Sequence, residues 1–194
     1  MGLLTARPSS ATFVVDDPYF LDIKENPNWQ SQFGNDHPLK LEIGFGMGEF
    51  LISMAKREPD SNFVGIDFSQ NGIKKILENI RSSQLKNILV VFGDVREKLP
   101  HLFRAEELNS VYINLPDPWP KKRHFKRRLI KPELVKLISQ KLAPNGCVHL
   151  ATDSESYAME MLEYFKAESS MQNVNHETGI SNVRKNLPKT KYEK

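Results

Sequence analysis

From Leu39 to Lys166 the chain alternates short apolar runs with segments of helical period, and few folds accommodate that order. Leu39 to Ile43 reads as a strand. A glycine-rich turn follows, and Glu49 to Arg57 then places Phe50, Leu51, Met54 and Ala55 on one helical face. Asn62 to Ile66 forms a second strand ending at Asp67, and Ser69 caps a helix whose Ile73, Ile76, Leu77 and Ile80 fall at i, i+3, i+4 and i+7. Asn87 to Phe92 is the third strand, closed by Gly93 and Asp94, and a weakly patterned helix spans Glu97 to Phe103. The fourth strand is Asn109 to Leu115. Pro132 opens a helix that runs to Leu142, and Pro144-Asn145-Gly146 turns the chain. Cys147 to Ala151 makes a fifth strand before a last amphipathic helix, Ser154 to Lys166. This order implies an α/β fold with a doubly wound, mostly parallel sheet flanked by helices, in which ligands gather at the C-terminal strand ends.

The flanking segments are less regular. Residues 1–38 mix Pro, Asp and Asn with Phe13, Tyr19, Phe20, Trp29 and Phe33 in no clean period, and are expected to form an irregular arm packed on a domain occupying 39–194. Residues 168–194 are polar, interrupted by Gly179 and Pro188, and expected to be mobile. With 194 residues, 39% apolar and 26% charged, one soluble globular domain is expected. The single cysteine, Cys147, sits in an apolar run; it argues against a disulfide framework, fits a reducing compartment, and reads as a small core residue. No apolar stretch has membrane-spanning length, the N-terminus has no signal-peptide pattern, and Ala6 stands where a myristoylation motif needs Ser or Thr. A cytoplasmic protein, monomer or homodimer, is expected. The histidines at 37, 101, 124, 149 and 176 show no ligand spacing, so no metal is expected.

Five acids, Glu42, Asp67, Asp94, Asp117 and Asp153, stand at or just past the ends of successive strands. The turn Gly44-Phe45-Gly46-Met47-Gly48 is shared by several nucleotide folds and decides little alone. Asp67 stands twenty-three residues after Gly44, where it can accept hydrogen bonds from a ribose diol of NAD or of S-adenosylmethionine. Glu42 separates the two. A pyrophosphate at the following helix N-terminus would lie close to this carboxylate, and the repulsion in a partly dry cleft is on the order of several kcal/mol. S-adenosylmethionine has no phosphate and carries a sulfonium and an ammonium, which an acidic rim attracts. Asp94 fits the adenine end. Any one of these acids is as readily a helix cap or a turn residue; five on one rim are harder to explain that way.

The segment 114–128 reads N-L-P-D-P-W-P-K-K-R-H-F-K-R-R. Prolines 116, 118 and 120 stiffen the loop that presents Asp117 and Trp119. Lys121, Lys122, Arg123, Lys126, Arg127, Arg128 and Lys131 place seven cations in eleven residues, while the whole chain has a formal charge of only +3, so the basic character is local. A charge run is usually a solvated face, but this one lies between a strand and a helix inside the domain. A carboxylate, an indole and phosphate-seeking cations on one loop suit a splayed-out nucleic-acid base: stack it, bind its polar edge, hold its flanking backbone.

With these features the chain resembles the tRNA (guanine-N7-)-methyltransferase family of class I, Rossmann-like, S-adenosylmethionine-dependent enzymes. The shared strings are L-E-I-G-F-G-M-G at 41–48, G-I-D at 65–67, G-D at 93–94, P-D-P-W-P-K-K-R-H-x-K-R-R at 116–128, A-T-D at 151–153 and T-K-Y-E at 190–193. The resemblance implies cofactor binding by Glu42, Gly44, Gly46, Gly48, Asp67, Asp94 and Asp117. It implies tRNA contacts from Lys121, Lys122, Arg123, His124, Lys126, Arg127 and Arg128, and substrate roles for Asp153, Thr190, Lys191, Tyr192 and Glu193. The implied substrate is a guanine of the tRNA variable loop. The family usually continues past T-K-Y-E into the last strand of a seven-stranded sheet, so a sheet without that strand, or a rearranged tail, is expected here.

Guanine N7 carries an in-plane lone pair and no proton, so its methylation needs positioning and not a base. Asp117 is the catalytic candidate, a carboxylate beside a purine that turns cationic. Other readings stay open. Asn114 and the Pro-rich loop are similar to the N-P-P-Y sites that methylate exocyclic amines, though the tetrad is interrupted. A catalytically silent RNA-binding module on the same scaffold would bind tRNA without cofactor. A nicotinamide oxidoreductase is disfavoured by Glu42 and the basic loop.

Overall fold

The computed structural model describes residues 13, 15–23, 25–174, 179–181, 187 and 188. Among them, five parallel strands form one sheet in the order β3-β2-β1-β4-β5: β1 Leu39–Ile43, β2 Asn62–Asp67, β3 Ile88–Phe92, β4 Leu108–Asn114 and β5 Leu142–Ala151. The helices are α1 Trp29–Phe33, α2 Glu49–Arg57, α3 Gln70–Ser83, α4 Val95–Leu102, α5 Pro132–Lys141 and α6 Glu155–Ala167, with a 3-10 helix over Lys122–Arg127. No helix among the described residues is long and apolar enough to cross a membrane.

Strand side chains alternate between faces, and the alternation divides the core in two. Leu41, Ile43, Val64, Ile66, Leu89, Val91, Val111 and Ile113 pack with α4, α5 and α6. Phe63, Ile88, Val90 and Tyr112 pack with α2 and α3. Every residue of β2 is buried, as expected for an inner strand covered on both faces. Ile73, Ile76, Leu77 and Ile80 of α3 are at most 1% exposed, each burial stabilising by about 1.5–3 kcal/mol. The Ser69 hydroxyl caps α3 by accepting the N–H of Gly72 at 3.1 Å.

Several elements differ from their sequence-based bounds. The arm is not wholly irregular. Phe20 makes a parallel bridge to Val90 at the β3 edge, and α1 seats Trp29 on Phe103, ring centroids 5.2 Å apart, with its Nε1–H donating to the Leu102 carbonyl at 3.1 Å. Helix α4 begins two residues early because Asp94 caps it. Strand β5 starts at Leu142, not Cys147: Leu142 pairs with Leu108 before residues 143–146 bulge out, Asn145 at φ 63°, and pairing resumes at Cys147 opposite Ser110. An edge strand tolerates Pro144 within such a bulge. The same edge position exposes Cys147, which is therefore not a core residue. Of the tail, Leu187 packs against the α2/α3 side of the core, while 175–178, 182–186 and 189–194 lie outside the described residues.

Candidate functional site

Because all strands run parallel, their C-terminal ends share one edge, and the turn after β1 sits at its centre. Gly44 and Gly46 adopt φ of 72° and 58°, in the left-handed region that favours glycine. A Cβ on either would meet nothing within 4 Å, so the front of the turn is open to a ligand. Its back is closed: a Cβ on Gly48 would lie 2.5 Å from Ile76, and one on Gly72 would lie 2.4 Å from the Gly46 carbonyl oxygen.

Asp67, at the end of β2, is 6% exposed. Its Oδ2 accepts the Gly46 N–H at 2.8 Å and its Oδ1 the Ser69 N–H at 2.7 Å. Burial pushes this carboxyl up, the backbone N–H groups of Ser69, Gly46 and Phe68 pull it down, and burial wins. Glu42 is 1% exposed, and its Oε1 accepts the Asn114 amide at 2.8 Å, joining β1 to β4. Two large apolar side chains that the sequence reading passed over, Met47 and Phe68, stand exposed next to the turn and to Asp67. Their signal was an apolar residue inside a polar loop, which is common enough to be overlooked.

Asp94 is half-buried and engaged locally. It caps α4 through the Arg96 N–H and is gripped by the Arg96 guanidinium, whose hydrogen bonds hold its carboxyl below the usual range. Arg96 is well exposed, so that pair opens at small cost.

Beyond β4 the backbone leaves strand geometry at Leu115 (φ 51°), whose N–H still reaches the Ala151 carbonyl at 2.8 Å. Asp117 is exposed, and Trp119 (φ 43°) is half-buried beneath the Arg127 guanidinium, 4.9 Å from its ring, with His124 edge-on at 5.7 Å. Lys121, Lys122, Arg123, Lys126 and Arg127 are exposed. Arg128 is not. At 1% exposure it pairs with Glu160 of α6 and lies over the rings of Phe125 and Tyr157, unlike the exposed cations before it. Asp153 is exposed between β5 and α6. Thr190, Lys191, Tyr192 and Glu193 lie outside the described residues. Among the described residues no group of three or more His, Cys, Asp or Glu could hold a metal ion.

The sheet edge thus brings together the open glycine turn bonded to Asp67, and Glu42 bonded to Asn114 of the adjacent strand from which the cationic loop leaves. A family model described as "Putative methyltransferase" matches residues 36–194. The tRNA (guanine-N(7)-)-methyltransferase of Vibrio parahaemolyticus serotype O3:K6 is 38% identical over 167 residues, covering 86% of this chain and 70% of that protein. The protein of the same name from Cupriavidus pinatubonensis is 39% identical, covering 86% of this chain and 66% of its own length, so this chain spans about two thirds of these relatives. Among solved structures, the precorrin-6y C5,15-methyltransferase of Geobacter metallireducens superposes with a TM-score of 0.56 at 16% identity, over 79% of either chain, which shows a shared fold.

Proposed function

The chain belongs to the tRNA (guanine-N7-)-methyltransferase family, and from that membership we propose that it is a cytoplasmic enzyme methylating N7 of the variable-loop guanine of tRNA, at position 46. The observation that carries the reading is the common edge: the loop with Asp117 and five exposed cations leaves β4 directly beside the glycine turn and Glu42.

The residues present fit S-adenosylmethionine. Gly44 and Gly46 leave room that any side chain would fill, Asp67 is a buried carboxylate suited to ribose hydroxyls, and Glu42 supplies negative charge where an amino-acid ammonium is to be held. Asp94 takes the adenine end once Arg96 yields. When bound, S-adenosylmethionine supplies the methyl group as an electrophile. Guanine N7 offers its lone pair without losing a proton, so no side chain need act as a base.

The chain's task is alignment, for which ordered reactants gain about 7–11 kcal/mol over free collision. Asp117 accepts from the guanine N1 and N2 edge, which selects guanine over adenine and attracts the positive charge that the purine acquires. Trp119 provides an aromatic wall beside the base. Lys121, Lys122, Arg123, His124, Lys126 and Arg127 hold the flanking phosphates, and Asp153 contributes to substrate binding, a role that the family resemblance also implies for Thr190, Lys191, Tyr192 and Glu193.

The test is transfer of labelled methyl from S-adenosylmethionine to unmodified tRNA by the 194-residue chain, followed by nucleoside analysis. 7-Methylguanosine at the variable loop is the expected product. A methylated exocyclic amine, or tRNA binding with no cofactor binding, would overturn the reading.

A further inference from the structure

The last cation of the basic string behaves unlike its neighbours. Arg128 Nε donates to the Pro118 carbonyl at 2.8 Å, while Nη1 pairs with Glu160 Oε2. The guanidinium lies 3.8 Å from the centroid of Phe125 and 4.7 Å from that of Tyr157. Glu160 is in turn fixed by Lys131 Nζ at 2.8 Å and by the Tyr164 hydroxyl at 3.0 Å. The Tyr157 hydroxyl accepts the Ile130 N–H at 3.0 Å, so the chain just beyond Arg128 is tied to the same helix.

Pro118 lies in the loop between two residues with positive φ, Leu115 and Trp119, and it directly follows Asp117. Its carbonyl has no strand or helix to bond within. A planar guanidinium can meet that carbonyl, a carboxylate and two ring faces at once, which an ammonium cannot.

We propose that Arg128 is a positioning residue that pins the Asp117 loop to α6 and makes no contact with tRNA. Because α6 begins just after Asp153, the same anchor fixes the separation between the two exposed acids of the rim. The kinetic part of this inference rests on the proposed function; the structural part does not.

The test compares Arg128→Lys with the parent chain. Lysine keeps the positive charge, so a phosphate contact would survive the change, whereas the fork that bridges Pro118 and Glu160 would not. Trp29 is buried, so acrylamide quenching of tryptophan fluorescence reports chiefly on Trp119. Quenching should rise in the variant, and kcat should fall by about tenfold to a hundredfold, as expected for misplaced reacting groups. KM for tRNA should stay within about twofold, since uniform binding is untouched. In Arg128→Gln, which removes the charge, the salt dependence of tRNA binding should keep its slope; a lost phosphate contact would lower it by about 0.7–0.9.

Parental quenching together with parental kcat would overturn the proposal, and so would a shallower slope with unchanged quenching. If the lysine variant does not fold, Glu160→Gln decides, because it keeps Arg128 and removes the charge it pairs with: raised Trp119 quenching supports the anchor and unchanged quenching refutes it. Should the parent transfer no methyl to tRNA, the functional reading fails, and the quenching comparison still judges the anchor.

Discussion

Gly46 donates its backbone N–H to Oδ2 of Asp67 at 2.8 Å, tying the turn after β1 to the carboxylate that ends β2. One bond therefore links the open front of the turn to the group proposed to bind ribose. A ligand that orders either one orders both.

Asp67 makes this link sensitive to pH. Burial raises its carboxyl above the ordinary 3.8, with backbone hydrogen bonds from Ser69, Gly46 and Phe68 offsetting only part. A carboxyl raised by folding stabilises the protein while protonated: the contribution is fully present below 3.8 and is lost as pH rises through the folded value. Cofactor affinity runs the opposite way, because ribose hydroxyls donate to the ionised form. Calorimetric titration with S-adenosylmethionine from pH 3.8 upward should show affinity increasing with pH, and Asp67→Asn should bind weakly with no such window. Parallel pH profiles for the two proteins would refute the assignment.

Gly72→Ala separates packing behind the turn from glycine strain in general. The new Cβ would lie 2.4 Å from the Gly46 carbonyl oxygen, a backbone atom that moves only with the whole turn. A stability loss of about 1–3 kcal/mol is expected, together with reduced cofactor affinity. Gly34→Ala is the control. Its φ of 72° costs about 1–2 kcal/mol in strain, but the space there is open and remote from the turn, so cofactor affinity should hold. Urea unfolding and cofactor titration of both variants distinguish the cases.

The order of elements was legible in the sequence because a parallel sheet demands apolar strands and an amphipathic helix after each. The cap at Ser69 and the helix-opening Pro132 stand where their chemistry placed them. Strand β5 was harder to read, since neither its edge position nor its bulge leaves a local signature, and so Cys147 looked like core. The burial of Arg128 was hidden for a similar reason. Within K-K-R-H-F-K-R-R nothing local separates an exposed cation from a buried one, and its partner Glu160 lies thirty-two residues away. Tyr157 and Tyr164, flanking Glu160 on one face of α6, were the available hint.

The five exposed cations should carry the salt dependence of tRNA binding. Replacing Lys122, Arg123 and Lys126 together by Gln is expected to weaken binding and lower the slope of log affinity against log salt by about 2–3. Lys131→Gln should leave the slope unchanged. Its ammonium is held by Glu160 at 2.8 Å and lies 5.5 Å from the Tyr164 ring, facing the anchor. Filter binding across a salt series provides both slopes, and equal slopes for the triple variant and the parent would return the run to a solvated face.

Asp117 is exposed, so its substitution should cost little stability. Its proposed role lies with the purine. Asp117→Asn keeps the shape but removes the charge opposite a ring that turns cationic, and kcat should fall by about 10²–10³-fold with KM for tRNA changed far less. A tRNA carrying inosine at the target position lacks the N2 donor, and should be a poorer substrate than the guanine form for the parent enzyme. For Asp117→Asn the guanine-over-inosine preference should shrink, because the carboxylate that reads N2 is gone. If the preference survives undiminished in the variant, Asp117 does not read the base edge, and its place on the loop serves the cofactor alone.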